Sequence, residues 1–314
     1  MIGRNPRPLK VGLQLNPYEG ITEHGIPRWN DLKAMTQYAE AAGFDSIWVP
    51  DHLVVDWPDA RYGQWECWSV LSALAAITTR IQIGSLVVCT GFRNPALLAR
   101  MADTLDEISS GRLILGLGAG WHEPEFRAFG YPFDHRVDRF EEALRIIRTL
   151  LRTGRIDFKG KYCEARECEL RSCGPRREGP PIMIGAGADR PRALRLTAEY
   201  ADYWNGFGVN RVDRLPPILR AVDTACAKAG RDPSTLQRTT TLLIDLPGSE
   251  KSSSAFWLNF RSARMPATGT SEELAELLRA FARTGIGHVQ IWLAPHSLAG
   301  IERFAPVLEL LDKG

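Results

Sequence analysis

Long apolar runs are missing from this chain of 314 residues. No stretch approaches the eighteen or so unbroken apolar residues that a membrane span needs, so no membrane partner is expected. The opening segment MIGRNPRPLK lacks the apolar core of a signal peptide, and a cytoplasmic location is the corresponding expectation. Excess charge is missing too: the formal net charge is +2, and the basic residues are scattered, which gives no footprint for a nucleic-acid partner. Several chemistries are excluded by absent motifs. The first strand segment ends Gln14-Leu15-Asn16 with no His-x-His pair, no Gly-x-Ser-x-Gly elbow occurs, and no lysine stands at a strand end to form a Schiff base. Of the six cysteines, Cys67, Cys89 and Cys226 sit in apolar contexts as small core residues. Cys163, Cys168 and Cys173 repeat at a spacing that matches no common zinc pattern, so neither a metal nor a disulfide is expected.

What is present is an alternation of strand-like and helix-like segments. Leu9 to Leu15 reads as a strand, followed by a loop from Asn16 to Pro27 and a helix from Trp29 to Ala42 stopped by Gly43. Phe44–Val49 and Ile81–Val87 continue the strand series, each followed by a helix, the second opened by Asn94-Pro95. A fourth strand starts at Leu113, and Asp134 to Leu151 shows the apolar spacing of an amphipathic helix. After a polar excursion near 155–180, strands at Pro181–Ile184, Asp202–Asn205, Arg238–Asp245 and His288–Leu293 each precede a helix. A loop near 247–269 interrupts, and Thr270 with Glu273 predicts a capping box. Eight strand-then-helix units without a composition break predict one (β/α)8 barrel over 1–314, with the site at the C-terminal ends of its strands.

The stretch Arg112–Phe133, RLILGLGAGWHEPEFRAFGYPF, is where that site should lie. Its strand, apolar on both faces, runs into Gly116, Gly118 and Gly120, and bare backbone there suits a flat ring laid against it. A dinucleotide fingerprint is the rival, but Trp121-His122-Glu123-Pro124 follows the glycines where a helix would be needed. Glycines that merely let a helix pack closely are the plainer reading. Gly185-Ala186-Gly187, ahead of a helix capped near Asp189, reads either as a phosphate cradle or as a tight turn. A floor of backbone, several aromatics and few ionisable groups suit a planar cofactor that brings its own reactivity.

AEAAGFDSIWVPDHL, IQIGSLVVCTGFRNPALLAR, GRLILGLGAGWHEPEFRAFGYPF, PPIMIGAGADRPRALRLTAEYADYWN and TGTSEELAELLRAFARTGIGHVQIW resemble, in order, blocks of the luciferase-like monooxygenase superfamily, and within it of the F420-dependent oxidoreductases. The resemblance implies a barrel that binds its cofactor at the C-terminal mouth and transfers hydride. It makes Asp51 and His52 the Asp-His pair after the second strand, with His52 as proton donor or acceptor. It places a non-proline cis peptide at Ser85-Leu86, lines the cofactor with Gly118, Ala119 and Gly120, and sets its phosphate at Gly185, Ala186 and Gly187. Trp121 stands where the sugar-phosphate branch has a catalytic Glu, so a sugar-phosphate substrate is not expected.

The resulting expectation is an oxidoreductase using coenzyme F420 on a small organic substrate, acting as a homodimer. An FMN-dependent monooxygenase and a non-catalytic flavin-binding protein are the alternatives. Catalytic candidates are His52, Asp51, Glu66 and Glu123; Asp51, Ser85, Leu86 and Trp204 join the glycine segments as cofactor candidates. Glu66, Glu123 and Glu125 are otherwise read as solvated or paired with Arg127, and Trp204, Trp257 and Trp292 as packing. The loops Asn16–Pro27, Val54–Gln64, Trp121–Phe133 and Pro247–Thr268 should set the substrate.

Overall fold

The computed structural model describes residues 7–21, 25–56, 60–171, 174–248 and 266–313. Trp57, Cys173, Trp257 and most of the 247–269 loop therefore lie outside the described residues. Eight parallel strands form a ring: β1 (Lys10–Gln14), β2 (Ser46–Val49), β3 (Gln82–Ser85), β4 (Leu113–Gly118), β5 (Ile182–Gly185), β6 (Tyr203–Phe207), β7 (Gln237–Asp245) and β8 (His288–Ala294). Pairing of Leu13 with Ile291 joins the last strand to the first, and Leu117 opposite Ile184 completes the circuit. The helices that follow the strands are α1 (Trp29–Ala42), α2 (Cys67–Ile77), α3 (Pro95–Ile108), α4 (Arg136–Thr153), α5 (Pro191–Tyr200), α6 (Leu215–Lys228), α7 (Ser271–Arg283) and α8 (Leu298–Asp312). The expected single-domain (β/α)8 barrel is the fold.

Local sequence explains the boundaries. Asn94 accepts from Ala96 N and Leu97 N ahead of Pro95, starting α3; Gly43 at φ 97° and Gly154 at φ 75° close α1 and α4. The Thr270–Glu273 capping box opens α7. Along β4, Leu113, Leu115 and Leu117 pack outward against the helices, whereas Ile114 packs inside the ring with Trp48, Leu86 and Met183. Glycine makes room there: a Cβ at Gly12 would stand 2.5 Å from Trp48 Nε1, and one at Gly84 2.3 Å from the Trp48 ring. One indole thus fills space that two neighbouring strands leave vacant.

Three segments depart from the expected outline. Val54–Asp56 pairs with Arg61–Gly63 as a small hairpin after β2, and Arg155–Lys159 pairs with Glu164–Glu169 in the polar excursion. The stretch after the β4 glycines contains a short helix, Glu123–Ala128, with Pro124 in its first turn, although no helix was expected there. Phe126 on that helix is fully buried against Phe92 and Phe133, and this aromatic packing supplies the stability that six residues alone would lack.

Candidate active site

His52 leaves the end of β2 with its imidazole half-buried at the mouth of the barrel. Its Nδ1 lies 3.0 Å from Oε1 and 3.3 Å from Oε2 of Glu125. The same carboxylate accepts a hydrogen bond from Leu53 N at 3.0 Å, so it fixes both the ring and the backbone beside it. Glu125 is 1% exposed, held inward by the short helix that buries Phe126 next to it. The Trp121 ring stands edge-on to His52 at 5.5 Å and is itself 62% exposed, and Tyr18 lies tilted at 6.2 Å. Burial pushes the Tyr18 hydroxyl well above its ordinary range, with the Glu125 charge adding to the effect. His52 therefore has a carboxylate on one ring nitrogen, aromatic walls, and access to the mouth.

Asp51 points the other way. It accepts from Cys89 N at 2.9 Å and from both terminal nitrogens of Arg93, at 2.6 and 3.1 Å. The carboxylate next to His52 in sequence is thus committed to Arg93, and Glu125 holds the ring instead. Burial pushes the Asp51 carboxyl up from its ordinary range against the pull of Arg93. Glu66, expected to be catalytic, caps α2 by accepting from Trp68 N and Ser69 N and pairs with Arg93. The third carboxylate, Glu123, is exposed at the start of the short helix, two positions from the buried Glu125. Helical geometry turns only one of this pair inward, a choice the spelling E-P-E does not reveal.

The cofactor candidates divide as well. Ser85 is buried, donating to Gly116 O and accepting from Gly116 N at 2.9 Å each. The ladder persists through Leu86 N to Val49 O, and the non-proline cis bond falls at Leu86–Val87, one residue beyond the expected Ser85–Leu86. Leu86 belongs to the interior cluster. Gly118, Ala119 and Gly120 are partly exposed; a Cβ on Gly118 would meet Val87 Cγ2 at 2.7 Å, and one on Gly120 would meet the Phe126 ring at 2.5 Å. These two glycines are thus required by their own neighbours, whatever lies above them. Gly185, by contrast, is exposed with no atom within 4 Å of its Cβ position. Its neighbours fit a phosphate less well: Ala186 N already donates to Asn205 O, a Gly187 Cβ would stand 2.6 Å from the Asp189 carboxylate, and α5 starts after Arg190 with no side-chain cap. Trp204, a cofactor candidate, is fully buried outside the ring with Nε1 donating to Ala186 O at 2.9 Å. Strand alternation faces Asn205 inward instead, which removes Trp204 from the mouth.

Two further histidines are buried near the barrel axis. His288 Nε2 is 2.7 Å from Ser46 Oγ at the start of β8, and His296, just past its end, accepts from Asn16 N at 3.1 Å. Burial lowers them to about 3 and about 4, so both stay neutral near pH 7. His122 accepts from Asp56 N at 3.0 Å and is also lowered by burial. Of these strand-end histidines among the described residues, His52 combines a buried carboxylate partner with an accessible ring; His135, paired with Asp138 at 3.2 Å, stands at the start of α4 instead. Among the described residues no group of three His, Cys, Asp or Glu could hold a metal, and no helix is long and apolar enough to cross a membrane. Cys163 and Cys168 are free thiols.

A strand-end histidine clamped by a buried carboxylate thus stands beside exposed backbone at the mouth of a barrel scaffold. The family profile described as luciferase-like monooxygenase matches residues 10–244, and the chain belongs to that family. The pyrimidine monooxygenase RutA of Cronobacter sakazakii is 37% identical over 174 residues, covering 53% of this chain and 50% of that protein. Such a match spans about half the length of that relative. A phthiodiolone/phenolphthiodiolone dimycocerosates ketoreductase of Mycobacterium tuberculosis is 30% identical over 299 residues, 88% of this chain and 75% of that protein. In fold, an F420-dependent secondary alcohol dehydrogenase solved with an F420-acetone adduct superposes with a TM-score of 0.80 at 20% identity, covering 96% of this chain and 99% of that one. Similar solved folds thus include F420-dependent enzymes and flavin-dependent or monooxygenase ones, among them a riboflavin lyase solved with modified FMN.

Proposed function

We propose that this chain transfers a hydride between coenzyme F420 and a small organic substrate, an alcohol, carbonyl or imine, with His52 handling the proton. The His52–Glu125 pair carries this reading. Oxidation of an alcohol requires its hydroxyl proton to leave, and reduction of a ketone requires one to arrive; an imidazole held at the mouth can serve both directions. Glu125 keeps the proton-bearing Nδ1 directed at itself, which leaves Nε2 as the atom for exchange with substrate, and it stabilises the imidazolium that forms when Nε2 takes a proton. Trp121 and Tyr18 flank the ring and limit water beside it.

The residues present fit a flat ring: Gly185 offers open space above bare backbone, and Gly118 ends the neighbouring strand beside it, followed by Ala119 and Gly120. When bound, the deazaflavin would supply or accept the hydride. Gly118, Ala119, Gly120 and Gly185 would hold its ring. The contacts of Ala186 N and Asp189 make Gly185-Ala186-Gly187 a weak phosphate cradle, and the adjacent Arg190 is paired with Asp189 at 3.1 Å. His52→Ala should lower turnover by a factor on the order of 10² to 10⁴ with little change in cofactor affinity. Unchanged turnover would place the proton transfer elsewhere.

Similarity to the pyrimidine monooxygenase supports a second reading, FMN chemistry with molecular oxygen. Titration of the purified protein with F420 and with FMN separates the two, and tight FMN binding without F420 affinity would refute the first. A buried carboxylate spent on a mouth histidine counts against a merely flavin-storing protein. A homodimer and a cytoplasmic location remain parts of the proposal, the former checked by sedimentation and the latter by fractionating cells that express the protein.

A further inference from the structure

One wall of the barrel interior carries polar groups that the His52 site does not use. Gln14 and Asn16 from the end of β1, Thr241 from β7 and Gln290 from β8 are each at most 2% exposed. Each keeps a side-chain atom without a hydrogen-bond partner: Gln14 Oε1, Asn16 Nδ2, Thr241 Oγ1 and Gln290 Nε2. Register brings them near one another, because Thr241 lies beside Gln290, and Gln290 lies beside Gly12, two positions before Gln14 on the same face of β1. Asn205 Nδ2 on β6 donates to Gln290 Oε1 at 2.8 Å, a bond that skips β7 and so must cross the interior. Gln14 Nε2 donates to Asn16 Oδ1 at 2.7 Å. Turning both amides over reverses this bond, yet the pair still presents one free donor and one free acceptor.

Buried polar groups are satisfied in nearly all folded proteins, so four together on adjoining strands mark a place where a polar partner belongs. In the closed strand order β8 stands across from β4 and β1 across from β5, which sets this wall opposite the glycine segments. Trp48, Ile114, Met183 and Leu86 form apolar surroundings within the same interior, so a partner there is recognised by a few directed bonds in an otherwise dry site.

We propose that Gln14, Asn16, Thr241 and Gln290 recognise a cyclic amide or imide edge, an N–H next to a C=O in a ring. The free acceptor of the Gln14–Asn16 pair takes the N–H, while its free donor and Gln290 Nε2 bond to carbonyl oxygens; Thr241 Oγ1 serves either. This rests on reading the mouth as the ligand site. Two sources offer that edge: a lactam- or imide-bearing substrate, and the pyrimidinedione side of the ring cofactor. The wall's position across from the glycine segments favours the substrate.

Succinimide and N-methylsuccinimide, which differ only at the N–H, test the idea by NMR titration of the full chain without and with cofactor, alongside fluorescence titration with F420 and FMN. Gln14→Leu and Gln290→Leu remove the wall's amides at nearly constant volume, and Thr241→Val gives a third, milder change. The expected result is succinimide binding at least tenfold tighter than N-methylsuccinimide, with that preference lost in the variants and cofactor affinity unchanged. A tenfold loss of cofactor affinity in the variants, with no succinimide binding, would assign the wall to the cofactor's own imide edge. If folded variants leave both affinities as in the unaltered protein, the wall holds only water and the proposal fails. Wild-type protein that binds neither F420 nor FMN would count against the proposed function, while the cofactor-free succinimide titration would still judge the wall.

Discussion

Replacing Glu125 by Gln keeps the shape of the side chain and removes its charge, which isolates what the carboxylate does for His52. The neutral amide can still accept from Leu53 N and from the imidazole, so the fold around it should survive. A hydrogen bond to a charged group contributes about 1.5–3 kcal/mol and a neutral one about 0.5–1.5 kcal/mol, so the loss is about 1–1.5 kcal/mol. If that difference acts when the imidazolium forms, turnover should fall roughly tenfold. Glu125→Ala goes further: it frees the ring and strands the Leu53 N–H, which should cost about 1–3 kcal/mol of stability. Turnover in that variant should approach that of His52→Ala, since an unanchored imidazole loses most of its effect. The assay is the rate of deazaflavin oxidation or reduction by absorbance, with cofactor affinity measured separately by fluorescence. Wild-type turnover in both folded Glu125 variants would refute the paired mechanism.

A Cβ at Gly185 has no atom of the protein within 4 Å, so Gly185→Leu should retain stability while cofactor affinity falls at least tenfold; an unchanged dissociation constant would move the ring away from β5. Arg93→Met should destabilise by about 3–5 kcal/mol, because Asp51 would be left charged and buried, and adding Asp51→Asn should restore part of the loss. Denaturant titration of the two single variants and the double variant would show equal, additive losses if the pair were energetically idle. His288 and His296 are depressed to about 3 and about 4, below the ordinary value near 6.5 of the unfolded chain. As pH falls through about 6.5 the unfolded state takes up protons that the folded state refuses, so each should cost about 2 kcal/mol at pH 5. His288→Gln should remove about half of that acid sensitivity, and an unaltered pH profile would contradict the assignment.

Periodicity and punctuation determine the barrel. Asn94-Pro95, Gly43, Gly154 and the Thr270–Glu273 pair are local devices whose effect is complete within a few residues, so their spelling suffices. The chain also points to the candidate site, because a strand ending in alternating glycines and a histidine at the next-but-one strand end both face the mouth. Tertiary structure decided which groups cooperate there. Asp51 is adjacent to His52 in sequence but turns to Arg93, while Glu125, 73 positions away, reaches the ring because Phe126 anchors its helix. Trp204 and Asn205 are likewise indistinguishable as mouth residues until the strand's alternation assigns one to each side of the ring. The polar wall has no local signature as a whole, since Gln14 and Asn16 at the end of β1 join Thr241 and Gln290 from two other strands only when the barrel closes. Side-chain direction and long-range pairing are properties of the closed sheet, and no window of sequence contains them.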